Sequence, residues 1–161
     1  MRVWAVANQK GGVGKTTSTV SLGGLLAEQG HKVLLIDLDP HGSLTSYFGY
    51  DPDSLSSSSY QLFQGEANKR ADDVLSLVSG TSVPGLSIMP TSPALATVER
   101  QMTGKDGMGL RVNKALQSID GTFDYVLLDC PPVLGVLMIN ALAACEKLIV
   151  PVQTEFLALK G

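Results

Sequence analysis

Val3-Trp4-Ala5-Val6-Ala7, followed after two residues by Lys10-Gly11-Gly12-Val13-Gly14-Lys15-Thr16-Thr17, is the stretch on which the fold turns. The apolar run reads as a strand, and the octet after it opens into a helical pattern. Glycines at 11, 12 and 14 let backbone N–H groups close around an anion, and the helix N-terminus adds partial positive charge. In such a cradle Lys15 reaches the outer phosphates and the Thr16 hydroxyl takes a magnesium ion. The common G-x-x-x-x-G-K-[ST] spacing would place a glycine at position 9, where this chain has Gln9. A second lysine, Lys10, stands beside it.

Working outward, Thr16 to Gln29 reads as a helix with Leu22, Leu25 and Leu26 on one face and Gly30 at its end. Gly23 and Gly24 inside it each cost about 1 kcal/mol against alanine, which points to close packing on a strand. Val33-Leu34-Leu35-Ile36 is a continuous apolar run of the kind buried on both faces of a parallel sheet. Residues 42–59 read as loop, ending in Ser56-Ser57-Ser58-Ser59. Helices are expected at 60–64, 71–78, 93–102, 108–119 and 134–144. Strands are expected at 86–89 and 125–128, with a third buried run at Leu148-Ile149-Val150. Strands alternating with helices imply a doubly wound, mostly parallel α/β sheet flanked by helices. No repeat or linker divides residues 1–161, so a single domain is expected.

Ligands in such sheets bind at the carboxyl ends of the strands. Asn8 to Thr17, Asp37-Leu38-Asp39-Pro40, Asp129-Cys130-Pro131-Pro132 and Gln153-Thr154-Glu155 all fall there. Phosphoryl transfer depends mainly on positioning and charge neutralisation, which a cradle, a magnesium ion and a water-holding carboxylate supply. Asp129 follows a buried strand and suits magnesium. Asp39 lies beyond its strand and suits orienting the attacking water, whereas Asp37 closes the strand and suits a supporting role. A helix-free strand cap is the plainer reading of Asp37.

These residues resemble the ParA/MinD family of ATPases. Lys10-Gly11-Gly12-Val13-Gly14-Lys15-Thr16-Thr17 is similar to the family's deviant Walker A motif, Asp37-Leu38-Asp39-Pro40 to its switch I, and Asp129-Cys130-Pro131-Pro132 to its switch II. Val150-Pro151-Val152-Gln153 also fits. The resemblance implies a P-loop ATPase using ATP and Mg2+. Gly11, Gly12, Val13, Gly14, Lys15, Thr16 and Thr17 would then bind the nucleotide, and Thr16 and Asp129 would hold the metal. Lys10 would be the signature lysine that crosses to the partner's nucleotide in an ATP-dependent homodimer. With Lys15 and Asp39 it completes the catalytic set. Asp39-Pro40-His41-Gly42-Ser43 is similar to the ParA pattern D-P-Q-G-N, with His41 for Gln and Ser43 for Asn. The His variant resembles ParA relatives that position chemotaxis arrays. An exposed loop histidine is the plainer reading of His41.

The chain closes on Leu157-Ala158-Leu159-Lys160-Gly161, which reads as the opening of another helix. By resemblance, the adenine-holding part and a surface binding DNA non-specifically would lie further on, so this is read as the N-terminal part of a domain truncated at its C-terminal end. A ParB-like or other stimulating protein is the expected partner.

Composition narrows the alternatives. Of 161 residues, 12 are Lys or Arg and 15 are Asp or Glu, giving a net charge of −3 and no basic run for nucleic acid. Mean hydropathy is +0.18. No signal sequence or membrane span is read, which implies a cytoplasmic protein. The two cysteines, Cys130 and Cys145, lie in apolar stretches without a C-x-x-C spacing, which argues against an iron–sulfur or metal-insertion ATPase. An ATP-dependent synthetase of the dethiobiotin or cobyrinate amidation type shares the fold but has no use for a trans-acting lysine. A nucleotide-binding module without turnover is the fourth reading.

Overall fold

A computed structural model describes residues 1–7 and 14–152. Lys10, Gly11, Gly12 and Val13, and the predicted segments at Gln153–Glu155 and 157–161, lie outside the described residues. Five strands run parallel in a six-stranded sheet: β1 (Arg2–Val6), β2 (Val33–Asp37), β4 (Leu86–Met89), β5 (Tyr125–Asp129) and β6 (Lys147–Ile149). The sixth, β3 (Ser79–Gly80), pairs antiparallel with β4 at one edge. The spatial order is β3-β4-β2-β5-β1-β6, so β5 lies between β1 and β2.

Alternation along the strands explains the two cores. Leu34, Ile36, Val126 and Leu128 face one side, where α4 (Leu95–Met102), α5 (Arg111–Ser118) and α6 (Val136–Ala144) cover them. Val33, Leu35 and Leu127 face the other side, with Leu86 and Ile88, under α1 (Lys15–Glu28). Every residue of β2 is buried, as a parallel strand between two helical layers must be.

The expected strands at 33–36, 86–89 and 125–128 are all present. Gly23 does meet the sheet: a Cβ there would lie 2.9 Å from Leu35 Cδ2 and 3.3 Å from Leu86 Cδ1. Gly24 has open space instead, so the packing argument holds for one glycine of the pair. The buried face of α1 is Thr19, Gly23, Leu26 and Ala27. Leu25 is 57% exposed, because its position falls on the opposite side of the helix from Gly23.

Other expectations need correction. Within the predicted loop 42–59, Ser43–Tyr47 forms a short helix, α2. The segment predicted at 60–64 is a 3-10 turn over Ser59–Phe63, and the helix at 71–78 is only Ala71–Leu75 (α3). The helix at 108–119 divides into a 3-10 turn (Met108–Leu110) and α5. β6 is not a buried strand among the described residues: Leu148 is 48% and Val150 51% exposed. Its apolar sequence signals burial, but it has only β1 beside it.

Candidate functional site

The register levels the carboxyl ends of three strands. Asp129 on β5 is paired in register with Val6 of β1 on one side and with Asp37 of β2 on the other. Leu38 N donates to Asp129 O at 2.9 Å and Cys130 N to Val6 O at 3.1 Å, so the ladder extends one step past the strands. Gly14, left-handed at φ 82°, leads into α1 beside this rim. The first N–H groups of a helix have no acceptor within it, and α1 carries no acidic residue in its first turn. Its partial positive charge is therefore free to act on an anion.

From that turn two side chains converge on Asp129. Lys15 Nζ donates to Asp129 Oδ1 at 2.8 Å and lies 3.8 Å from Asp39 Oδ2. The Thr16 hydroxyl donates to Asp129 Oδ2 at 3.3 Å. Thr17, by contrast, is exposed and makes no contact with these carboxylates that the geometry records. Thr19, which the sequence reading passed over, is fully buried one helical turn after Lys15. Its hydroxyl lies 2.9 Å from Lys15 O and 3.2 Å from Asp129 Oδ1. The i+4 spacing from Lys15 was the available signal.

Asp37 shapes the second loop. It is fully buried, and accepts from Asp39 N at 3.0 Å, Thr45 N at 3.0 Å and Thr45 Oγ1 at 2.7 Å. The Thr45 hydroxyl in turn accepts from Thr91 N at 2.9 Å, and Ser59 Oγ donates to Asp37 O at 2.7 Å. Asp37 thus ties the start of α2 and the end of β4 to the loop that carries Asp39. Gly42 is needed in this loop on two grounds. Its φ is +75°, and a Cβ would lie 2.7 Å from Pro52 Cγ. Asp39 itself is nearly buried, and Oδ1 accepts from His41 N at 3.0 Å. The exposed His41 ring places Nδ1 3.0 Å from the same oxygen.

Three carboxylates, Asp37, Asp39 and Asp129, therefore share one rim. Among the described residues, Lys15 is the one Lys or Arg within ion-pair distance of them. Burial and the charge of Asp129 push Asp37 up from the usual 3.8 to about 7. Burial also raises Asp129, against the opposing pull of Lys15. This under-compensated acidic cluster fits a divalent cation. Two oxygens 3.3 Å apart, Thr16 Oγ1 and Asp129 Oδ2, suit neighbouring positions around magnesium, whose bonds to oxygen are about 2.1 Å. No group of three or more His, Cys, Asp or Glu among the described residues forms an all-protein metal cage. Magnesium characteristically shares few protein ligands with substrate phosphates.

The raised Asp37 has a consequence for stability. Its folded-state affinity for a proton exceeds the unfolded one, so folding takes up a proton between the two values. Stability then declines as pH rises from about 4 to about 7, by up to about 1.4 kcal/mol per pH unit. Urea unfolding of wild type and Asp37→Asn across that range is expected to show a shallower decline in the variant. Parallel slopes would mean that Asp37 does not carry the effect.

Cys130 is fully buried behind Asp129, and desolvation pushes its thiol up to about 12. Such a thiol is inert toward metals. Beyond it, Pro131, Pro132 and Val133 join Pro40, His41 and Pro93 around an apolar cleft of about 340 Å³. Glu99 of α4 lines the same cleft and accepts from Val136 N at 3.1 Å and Leu137 N at 3.0 Å, at the start of α6. No local pattern announces Glu99, because its partners lie 37 and 38 residues away. No helix among the described residues is long and apolar enough to cross a membrane.

The family model described as "AAA domain" matches residues 1–161. The sporulation initiation inhibitor protein Soj of Bacillus subtilis (strain 168) is 39% identical over 160 residues, 99% of this chain and 61% of the relative. The chromosome partitioning protein ParA of Caulobacter vibrioides (strain NA1000 / CB15N) is 41% identical over 163 residues, all of this chain and 59% of the relative. The solved structure of cobyrinic acid a,c-diamide synthase from Mycobacterium smegmatis, with bound ATP analogue and magnesium, superposes with a TM-score of 0.89 at 44% identity. That alignment covers 98% of this chain and 62% of the other. The chain thus spans about three-fifths of the length of these relatives. With its parallel sheet, its Lys15–Thr16 helix start and its two acidic strand ends, the chain belongs to the ParA/MinD-type P-loop ATPases of the AAA domain family.

Proposed function

We propose that this chain is the nucleotide-binding part of a ParA-like ATPase that hydrolyses ATP, dimerises in response to it, and partitions or positions cargo in the cytoplasm. One observation carries the reading: Lys15, Thr16, Asp39 and Asp129, drawn from three separate segments, meet at one rim of the sheet. The first N–H groups of α1 and Lys15 bind the phosphates, together with Gly11 to Gly14. Thr16 and Asp129 hold magnesium, which supplies neutralisation of the developing charge. Asp39 orients the attacking water. Lys10 reaches the nucleotide of the second copy, and the homodimer recruits a ParB-like or other stimulating protein. Non-specific DNA binding would fall to segments matching the two-fifths of the relatives that this chain does not span.

The test is the mass of the intact protein, by light scattering, with and without Mg-ATP. Doubling is expected in the wild type, and Lys10→Ala is expected to stay monomeric with ATP affinity within about threefold. A wild type that stays monomeric at saturating Mg-ATP would refute dimerisation, and a Lys10→Ala dimer would refute the trans lysine. The 44% identity to the structure named cobyrinic acid a,c-diamide synthase favours a second reading, ATP-dependent amidation. ATP-dependent amide formation from glutamine and cobyrinic acid would establish that reading instead.

A further inference from the structure

The His41 ring is 80% exposed, yet its Nδ1 lies 3.0 Å from the Oδ1 of a carboxylate that is only 9% exposed. Oδ1 of Asp39 receives two contacts from this one residue. The bond from His41 N is a turn contact that almost any residue would make. The contact from Nδ1 needs a side chain with a donor at that reach. A carboxylate oxygen only accepts, so Nδ1 carries the hydrogen and the Nε2 lone pair faces outward. With Oδ1 held from two sides, Oδ2 is the oxygen that faces Lys15 Nζ, at 3.8 Å.

We propose that His41 is a positioning residue for Asp39: its imidazole fixes Oδ1 and leaves Oδ2 aimed at the phosphate rim. The inference rests on the assignment of Asp39 as the water-orienting group. Among the described residues, the charged groups around the ring are these. Asp39 is on its own loop, Lys15 comes from the first turn of α1, and Glu99 of α4 lines the shared cleft. Asp37 and Asp129 lie buried beneath, on β2 and β5. Glu99 is engaged by two amides of α6.

The experiment measures kcat and KM for Mg-ATP in the intact protein, its His41→Ala and His41→Asn variants, Asp39→Ala and the double variant His41→Ala/Asp39→Ala. Loss of one hydrogen bond predicts a roughly five- to tenfold lower kcat in His41→Ala, with KM within about twofold. His41→Asn, whose amide donates from nearly the Nδ1 position, is expected to recover most of kcat. On the Asp39→Ala background, His41→Ala should cost nothing further. Unchanged kcat in His41→Ala, no recovery in His41→Asn, a raised KM at constant kcat, or a further loss in the double variant would each overturn the proposal. Wild-type turnover by Asp39→Ala would instead overturn the assignment beneath it. The exposure of the ring means that folding is not at risk in either His41 variant.

Discussion

Replacing Lys15 by alanine is expected to weaken ATP binding at least about 30-fold. The ammonium is placed between Asp129, at 2.8 Å, and Asp39, at 3.8 Å. Removing it takes away the side-chain cation offered to phosphate and leaves an acidic cluster facing a polyanion. Truncating one member of a buried charge pair costs about 2–5 kcal/mol, and every 1.4 kcal/mol is about tenfold in affinity. The fold should survive. Burial already holds the Asp129 carboxyl above its usual range, and Thr16 and Thr19 still contact it when Lys15 is absent. Calorimetric titration with Mg-ATP reads the affinity, and thermal unfolding checks that the sheet is intact. Unchanged affinity in a folded variant would remove the cradle assignment.

Asp39→Ala should separate binding from turnover. Neither oxygen of Asp39 is needed to hold the sheet: among the described residues, Oδ1 meets the His41 backbone and ring, and Oδ2 faces Lys15. Both His41 donors can turn to water. ATP affinity is therefore expected to stay within about threefold. The hydrolytic step loses the group that orients its water, an effect worth about 10²–10⁴ in rate. If ATP closes a dimer, that dimer should outlast the wild-type one by a comparable factor, read as persistence of the doubled mass after ATP is added. Wild-type phosphate release from this variant would eliminate the role given to Asp39.

The sequence reading was strongest where one local signal sufficed. The apolar runs at 33–36, 86–89 and 125–128 announced buried parallel strands without help from distant residues, and the carboxylates that end two of them marked the rim. It was weaker where burial depends on neighbours. Leu148-Ile149-Val150 has the composition of an interior strand but has only β1 beside it among the described residues. Leu25 has a helical partner at the right spacing but points away from the sheet, because the glycine at 23 sets the facing side. The helix at Ser43–Tyr47 was hidden in a polar segment, since its anchor, Asp37, lies outside it. Glu99 illustrates the limit, because a carboxylate that caps a helix start 37 residues away leaves no local trace.

The placement of β5 between β1 and β2 bears on how the protein is made. As the chain leaves the ribosome, β1, α1 and β2 emerge early, and with them Lys15, Thr16, Asp37 and Asp39. Until Tyr125–Asp129 inserts, β1 and β2 have no shared ladder, and each offers an unpaired edge to any other strand nearby. Asp129 then arrives on the strand that closes that gap. A nucleotide held by both Lys15 and Asp129 is therefore a report that the central sheet has been completed.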